Sequence, residues 1–220
     1  YFDAGTGSTV TVYENLTLGS NDGDTGLLRG NSTITIHGQL INNGIIKPGS
    51  GEVLVLADPS PTSSCFDLDG GTGNGEVDAS IGRIMFQGKL TDAFDGTMSI
   101  GDGQEINFNN PVTLNPGSTL NFDGTSDTAT LAGTTFLINS SDINVIGAAR
   151  INGGVTFGPN ASATISSGGL LELNNDTTYN GGVFSGAGEL QQDGDATFAG
   201  NTTISVDMFD WDGVTISSTT

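Results

Sequence analysis

The chain has 220 residues, with 25 acidic side chains against 5 Lys and Arg and a formal charge of −20. Its 35 glycines are more than twice the share of about 7% found in ordinary proteins. Gly, Asn, Ser and Thr at this density exclude a helical bundle, since all are poor helix formers, and five basic groups cannot neutralise a nucleic-acid backbone.

Hydrophobic residues make up 35% of the chain, and Val, Ile, Leu and Phe are spread along its whole length. Every stretch therefore has something to bury, which argues against wholesale disorder and for an all-β protein of extracellular type. No run of about 18 apolar residues occurs, so no membrane insertion is expected. Cys65 is the only cysteine, which leaves no intrachain disulfide and no cysteine-based metal site. Tyr1-Phe2-Asp3-Ala4-Gly5 lacks Met and any basic-then-apolar signal, so the reading is a processed chain or a fragment of a longer one.

In chain order, the first predicted strands are Gly7-Ser8-Thr9-Val10-Thr11-Val12 and Asn31-Ser32-Thr33-Ile34-Thr35-Ile36. Both alternate apolar with small polar residues at period two, as a strand with one buried face does. Residues 58–80 break the rhythm: two of the six prolines lie at Pro59 and Pro61, and Gly70-Gly71-Thr72-Gly73-Asn74-Gly75 follows. This segment is expected to loop out of the coil without dividing residues 1–220, which form a single domain. Beyond it, the alternating pattern returns at 117–122, 160–165 and 201–206.

A second series gives the period. Val112-Thr113-Leu114, Thr135-Phe136-Leu137-Ile138, Val155-Thr156-Phe157, Thr177-Thr178-Tyr179 and Ala196-Thr197-Phe198 are equivalent, and 84 residues separate Leu114 from Phe198. Four intervals of about 21 residues fit a solenoid and are half of a propeller blade. The predicted fold is a parallel, right-handed β-helix (a β-solenoid) of about ten turns, with strands about 4.8 Å apart in a rod of about 50 Å. Leu114, Phe157 and Phe198 are expected in one inward ladder. An antiparallel sandwich is the alternative, but it would not keep one period through several units.

The later repeats carry a resemblance. Gly186-Ala187-Gly188-Glu189-Leu190, Gly194, and Ala196-Thr197-Phe198-Ala199-Gly200-Asn201-Thr202-Thr203-Ile204 resemble the autotransporter-associated β-strand repeat of large bacterial surface adhesins. Tyr179-Asn180-Gly181-Gly182-Val183 repeats the aromatic-x-Gly part. The likeness is clear over residues 150–206 and loose before them. It implies a secreted or cell-surface β-helix serving as a stalk, an adhesin or an assembly module. Its expected partners are other copies, adjoining repeats of a longer chain, or surface glycans and proteins.

Chemistry-bearing residues are few. Asp67, Asp69, Asn74 and Asp78 resemble an acidic calcium loop, which makes calcium the candidate ion there, but Ile81 stands where the bidentate Glu would be, and a solvated acidic loop is the favoured reading. Arg29, His37, Lys47, Arg83, Lys89 and Arg150 are scattered over different repeats and form no cation cluster for an acidic polysaccharide. Asp92 and Asp95 are one possible carboxylate pair for a neutral glycan, and they sustain the alternative of a polysaccharide-active β-helix enzyme, hydrolase or lyase. With a single His and a single Cys no nucleophilic triad is in view, so the chain is expected not to be an enzyme. Trp211 either caps the last coil or stacks on a sugar. Sequons begin at Asn15, Asn31, Asn139, Asn160, Asn175 and Asn201, as chance allows in a chain rich in Asn, Ser and Thr.

Overall fold

The structure, a computed structural model, describes residues 1–19, 26–60, 64–70, 75–212 and 215–218. Among them there is no helix, and every paired strand runs parallel to its neighbour in adjacent turns. The chain is a β-solenoid of about nine turns with a period near 22 residues. Nine steps at about 4.8 Å make a stack of about 43 Å.

Each turn visits three faces in the same order. The first face holds Ile45–Lys47, Glu76–Ala79, Thr97–Gly101, Thr119–Asp123, Asp142–Val145, Ser162–Ile165, Gly182–Gly186 and Thr202–Ser205. The second holds Val53–Ala57, Arg83–Gln87, Glu105–Phe108, Leu170–Leu173, Glu189–Gln192 and Met208–Trp211. The third holds Leu16–Leu18, Leu40–Asn42, Ser64–Asp67 and Lys89–Leu90, then Val112–Leu114, Thr177–Tyr179, Ala196–Phe198 and Ile216–Ser218. The long strands Phe2–Val12 and Leu27–Ile36 run from the first face onto the second, while Ala129–Ile138 and Ala148–Phe157 run from the second onto the third.

The period-two alternation places apolar columns inside each face. Leu28, Ile46, Val77, Met98, Leu120, Ile143, Ala163 and Phe184 succeed one another in register on the first. On the third, Leu114, Ile138, Phe157, Tyr179 and Phe198 form one column, the ladder expected from the sequence. Rings stack where the strand spacing puts them: Phe86 on Phe108 at 4.8 Å, and Tyr179 on Phe198 at 4.8 Å. Tyr179 is fully buried, and its hydroxyl donates to Gln192 Oε1 at 3.0 Å. Burial pushes its phenol well above its ordinary pKa.

The five alternating segments fall on two faces: 7–12 and 31–36 pair on the second, whereas 117–122, 160–165 and 201–206 supply strands of the first. Alternation reports one buried side without saying which side of the coil it is. One feature differs from the sequence reading: residues 58–80 do not loop out as a whole. Ser64–Asp67 pairs with Leu40–Asn42 and Lys89–Leu90, and Glu76–Ala79 pairs with Ile45–Lys47. The step from Ile46 to its partner Val77 is thus 31 residues long, while later steps on that face run from 20 to 23. The surplus falls on either side of a strand that still carries Phe66, fully buried, into the core.

Candidate functional site

The corner between the third and first faces gathers the densest chemistry. Asp67 ends the strand Ser64–Asp67, and its Oδ1 accepts the Gly70 N–H at 2.7 Å, which closes a tight turn. That turn tucks Asp69 inward until it is only 2% exposed. One turn later the chain leaves Lys89–Leu90 through Asp92 to Asp95, whose N–H donates to Asp69 Oδ2 at 2.8 Å. Oxygens of Asp67, Asp69 and Asp92 lie within 4.8 Å of one another.

The electrostatics follow from crowding like charges against an apolar stack. Burial, followed by the charges of Asp92 and Asp69, pushes the Asp67 carboxyl above its ordinary range, although the Gly70 N–H pulls it down. Burial and then the neighbouring Asp69 and Asp92 push Asp95 up as well. A raised carboxyl binds a proton more tightly in the folded chain than in the unfolded one, so its contribution to stability falls as pH rises through the folded pKa. In chelator, acidification from neutral pH to about 4 is therefore expected to raise the melting temperature. An Asp67→Asn variant should show a smaller rise; an identical rise in both proteins would remove Asp67 as a source.

The residues picked from the sequence for calcium separate. Asp67 and Asp69 come together, but Asp78 does not join them and Asn74 lies outside the described residues. Asp78 is an outward residue of the first face, in contact with Lys47 Nζ and accepting the Ser80 N–H at 2.8 Å. Burial raises its pKa, but the bonds from Lys47 and Ser80 and the Lys47 charge outweigh that and leave it lowered. Spacing along one loop had suggested it; in a solenoid the neighbours are set by the turn. Asp92 entered the sequence reading only as a partner of Asp95. The Asp69–Asp95 separation of 26 residues, close to one turn, was the available signal for stacked carboxylates.

Other candidates are dispersed. Arg83 contacts Glu105 one turn on, and Arg150 reaches Glu172 Oε2 through Nε at 2.9 Å and Nη2 at 2.7 Å. Lys89 is exposed, and His37 stacks on exposed Tyr13 with ring centroids 5.0 Å apart. Trp211 lies opposite buried Gln192, in the inward row of the last described pass of the second face. The outer rows of the first face carry Thr97 and Ser99, Thr119 and Asn121, Ser162 and Thr164, then Thr203 and Ser205, with Glu76, Asp78, Asp142 and exposed Val183 in the same rows. On the third face an open groove of about 440 Å³ runs past Thr113, Leu137, Thr156, Asp176 and Thr178.

Comparison with protein-family models, with curated proteins and with solved structures finds no match.

Proposed function

We propose that the chain is a non-catalytic structural or adhesive module of a bacterial surface protein, working outside the cell as a stalk or as a unit of a fibre or surface layer. The observation that carries this reading is the single stack of parallel strands from Phe2–Val12 to Ile216–Ser218. Such a stack is stabilised by nearest-neighbour contacts and lengthens by about 4.8 Å with every added turn, which suits a spacer. The likeness of residues 150–206 to autotransporter-associated repeats points the same way. So does the engagement of Lys47, Arg83 and Arg150 in separate cross-turn ion pairs, which disperses the charge an acidic polysaccharide would need.

The Thr, Ser and Asn side chains of the first face give such a module a hydrogen-bonding flank, interrupted by Glu76, Asp78 and Asp142, on a chain of charge −20. The outermost passes each have a strand edge that takes either the adjoining repeats of a longer chain or another copy. Repulsion between such acidic copies weakens as salt shortens the Debye length, so end-to-end assembly is favoured at high ionic strength. Electron microscopy of the native material is the deciding experiment. Filaments whose repeat matches a rod of about 43 Å support assembly; monodisperse particles at high salt defeat it and leave the adhesive stalk. Turnover of a neutral or acidic glycan, abolished by Asp92→Asn, would overturn the non-catalytic reading.

A further inference from the structure

We propose that the groove on the third face binds a glycan chain of amino sugars, laid along the stack axis across four turns. This rests on the adhesive form of the proposed function and names the partner's chemistry. The outward row of the groove runs Thr113, Leu137, Thr156, Thr178 in register, a length of about 14 Å at the strand spacing. At about 440 Å³ it has the size of a cleft for a small ligand.

Two residues shape the hollow. Gly154 pairs in register with Thr135 and lies beside Asp176 of the following turn. Neither backbone nor packing calls for glycine there: its φ is not positive, and a Cβ would meet Thr135 Cγ2 at 3.5 Å, an ordinary contact. The missing side chain instead leaves the floor of the groove open. Leu137 is exposed and is the apolar member of a row otherwise made of threonines, so it gives that floor an aliphatic patch.

The lining selects the occupant. Thr113, Thr135, Thr156 and Thr178 offer hydroxyls that both donate and accept, repeated with the turn, beside the aliphatic surface of Leu137. A sugar ring carries the matching pair of surfaces, hydroxyls on its rim and C–H groups on its faces. An extended β-linked chain also advances by nearly one strand spacing per ring. A peptide strand would need an unpaired strand edge, whereas Ala129–Ile138, Ala148–Phe157 and Thr177–Tyr179 are paired on both sides. Charge sets the kind of sugar. Exposed Asp176 lines the groove, and its Oδ1 accepts the N–H of Asp195 one turn on at 3.2 Å. Among the described residues no Lys, Arg or His lines the groove, on a chain of charge −20. Anionic sugars are repelled there, and the ammonium of an amino sugar is complementary.

The test is calorimetric titration of the full chain with β-1,4-linked hexamers of glucosamine, N-acetylglucosamine and glucose. A pH of about 6 keeps the sugar amines protonated, and about 0.15 M salt screens diffuse attraction beyond about 8 Å. The glucosamine hexamer should bind about tenfold tighter than the two neutral hexamers, the worth of one hydrogen bond to a charged group. Asp176→Asn should erase that preference, whereas Asp210→Asn, on the second face, should bind as the parent does. Gly154→Leu should abolish binding of all three and leave the melting temperature unchanged, since its Cβ has room. Binding that survives Gly154→Leu, or that falls equally in Asp176→Asn and Asp210→Asn, overturns the groove and keeps the adhesive reading. If the parent binds none of the hexamers, the groove proposal falls, while electron microscopy still decides the stalk and fibre readings on its own. Hexalysine bound more tightly than the glucosamine hexamer would overturn the glycan in favour of a basic peptide.

Discussion

Phe86→Ala is expected to lower the free energy of unfolding by about 3–5 kcal/mol, the range for truncating a buried phenylalanine. The ring is fully buried, lies 4.8 Å from that of Phe108 in a nearly parallel stack, and meets Phe66 edge-on at 5.8 Å. Removing it takes a contact from the turn above and the turn below at once. Cross-strand pairing on fixed backbones leaves little freedom for the walls to collapse into the void. Leu137→Ala is the control, because Leu137 points outward from the third face and is 38% exposed. It should cost less than about 1 kcal/mol, in line with surface substitutions. Denaturant unfolding followed by circular dichroism reads both numbers. Equal costs for the two variants would mean that the ladder is not what holds the turns together. Hydrogen exchange should further show the loss concentrated in strands adjoining Arg83–Gln87, since a solenoid's stability is a sum over neighbouring turns.

The ladder was legible in the sequence because inward positions recur with the turn. Leu114, Phe157 and Phe198 could be aligned by their Thr neighbours alone, and the pairing Thr178↔Thr197 preserves that alignment in space. The first half hid its period for a physical reason. There the corners vary in length, so the first-face step is 18 residues from Leu28 to Ile46 and 31 from Ile46 to Val77. A strand step constrains only the residues that stack, and corners absorb insertions without disturbing them. The acidic corner was half legible for the same reason. Asp67 and Asp69 are local in sequence, but Asp92 and Asp95 arrive from the next turn, a distance along the chain that a linear motif does not span. Asp78, near in sequence, has its side chain carried outward from the first face and is tied to Lys47.

Gly186→Ala is expected to destabilise the chain by about 2–6 kcal/mol, combining left-handed backbone strain with a steric clash. Gly186 has a φ of +122°, and a Cβ built on it would stand 2.0 Å from the carbonyl oxygen of Ile165 in the turn before. That oxygen belongs to a paired strand and cannot retreat without breaking the ladder. Gly168 separates the two effects: its φ is +77°, yet a Cβ there meets nothing within 4 Å. Gly168→Ala should therefore cost only the left-handed strain, about 1–2 kcal/mol. A melting-temperature comparison of the two variants isolates the close approach, and equal losses would show that the turns do not stack so tightly at this corner. Gly188 is crowded in the same way by the Ser166 and Gly169 carbonyl oxygens, while Leu190 is fully buried. The Gly-x-Gly-x-Leu opening thus has a mechanical origin. Two glycines let the corner backbone lie directly on the turn below, and the leucine that follows enters the core at the first inward position of the second face.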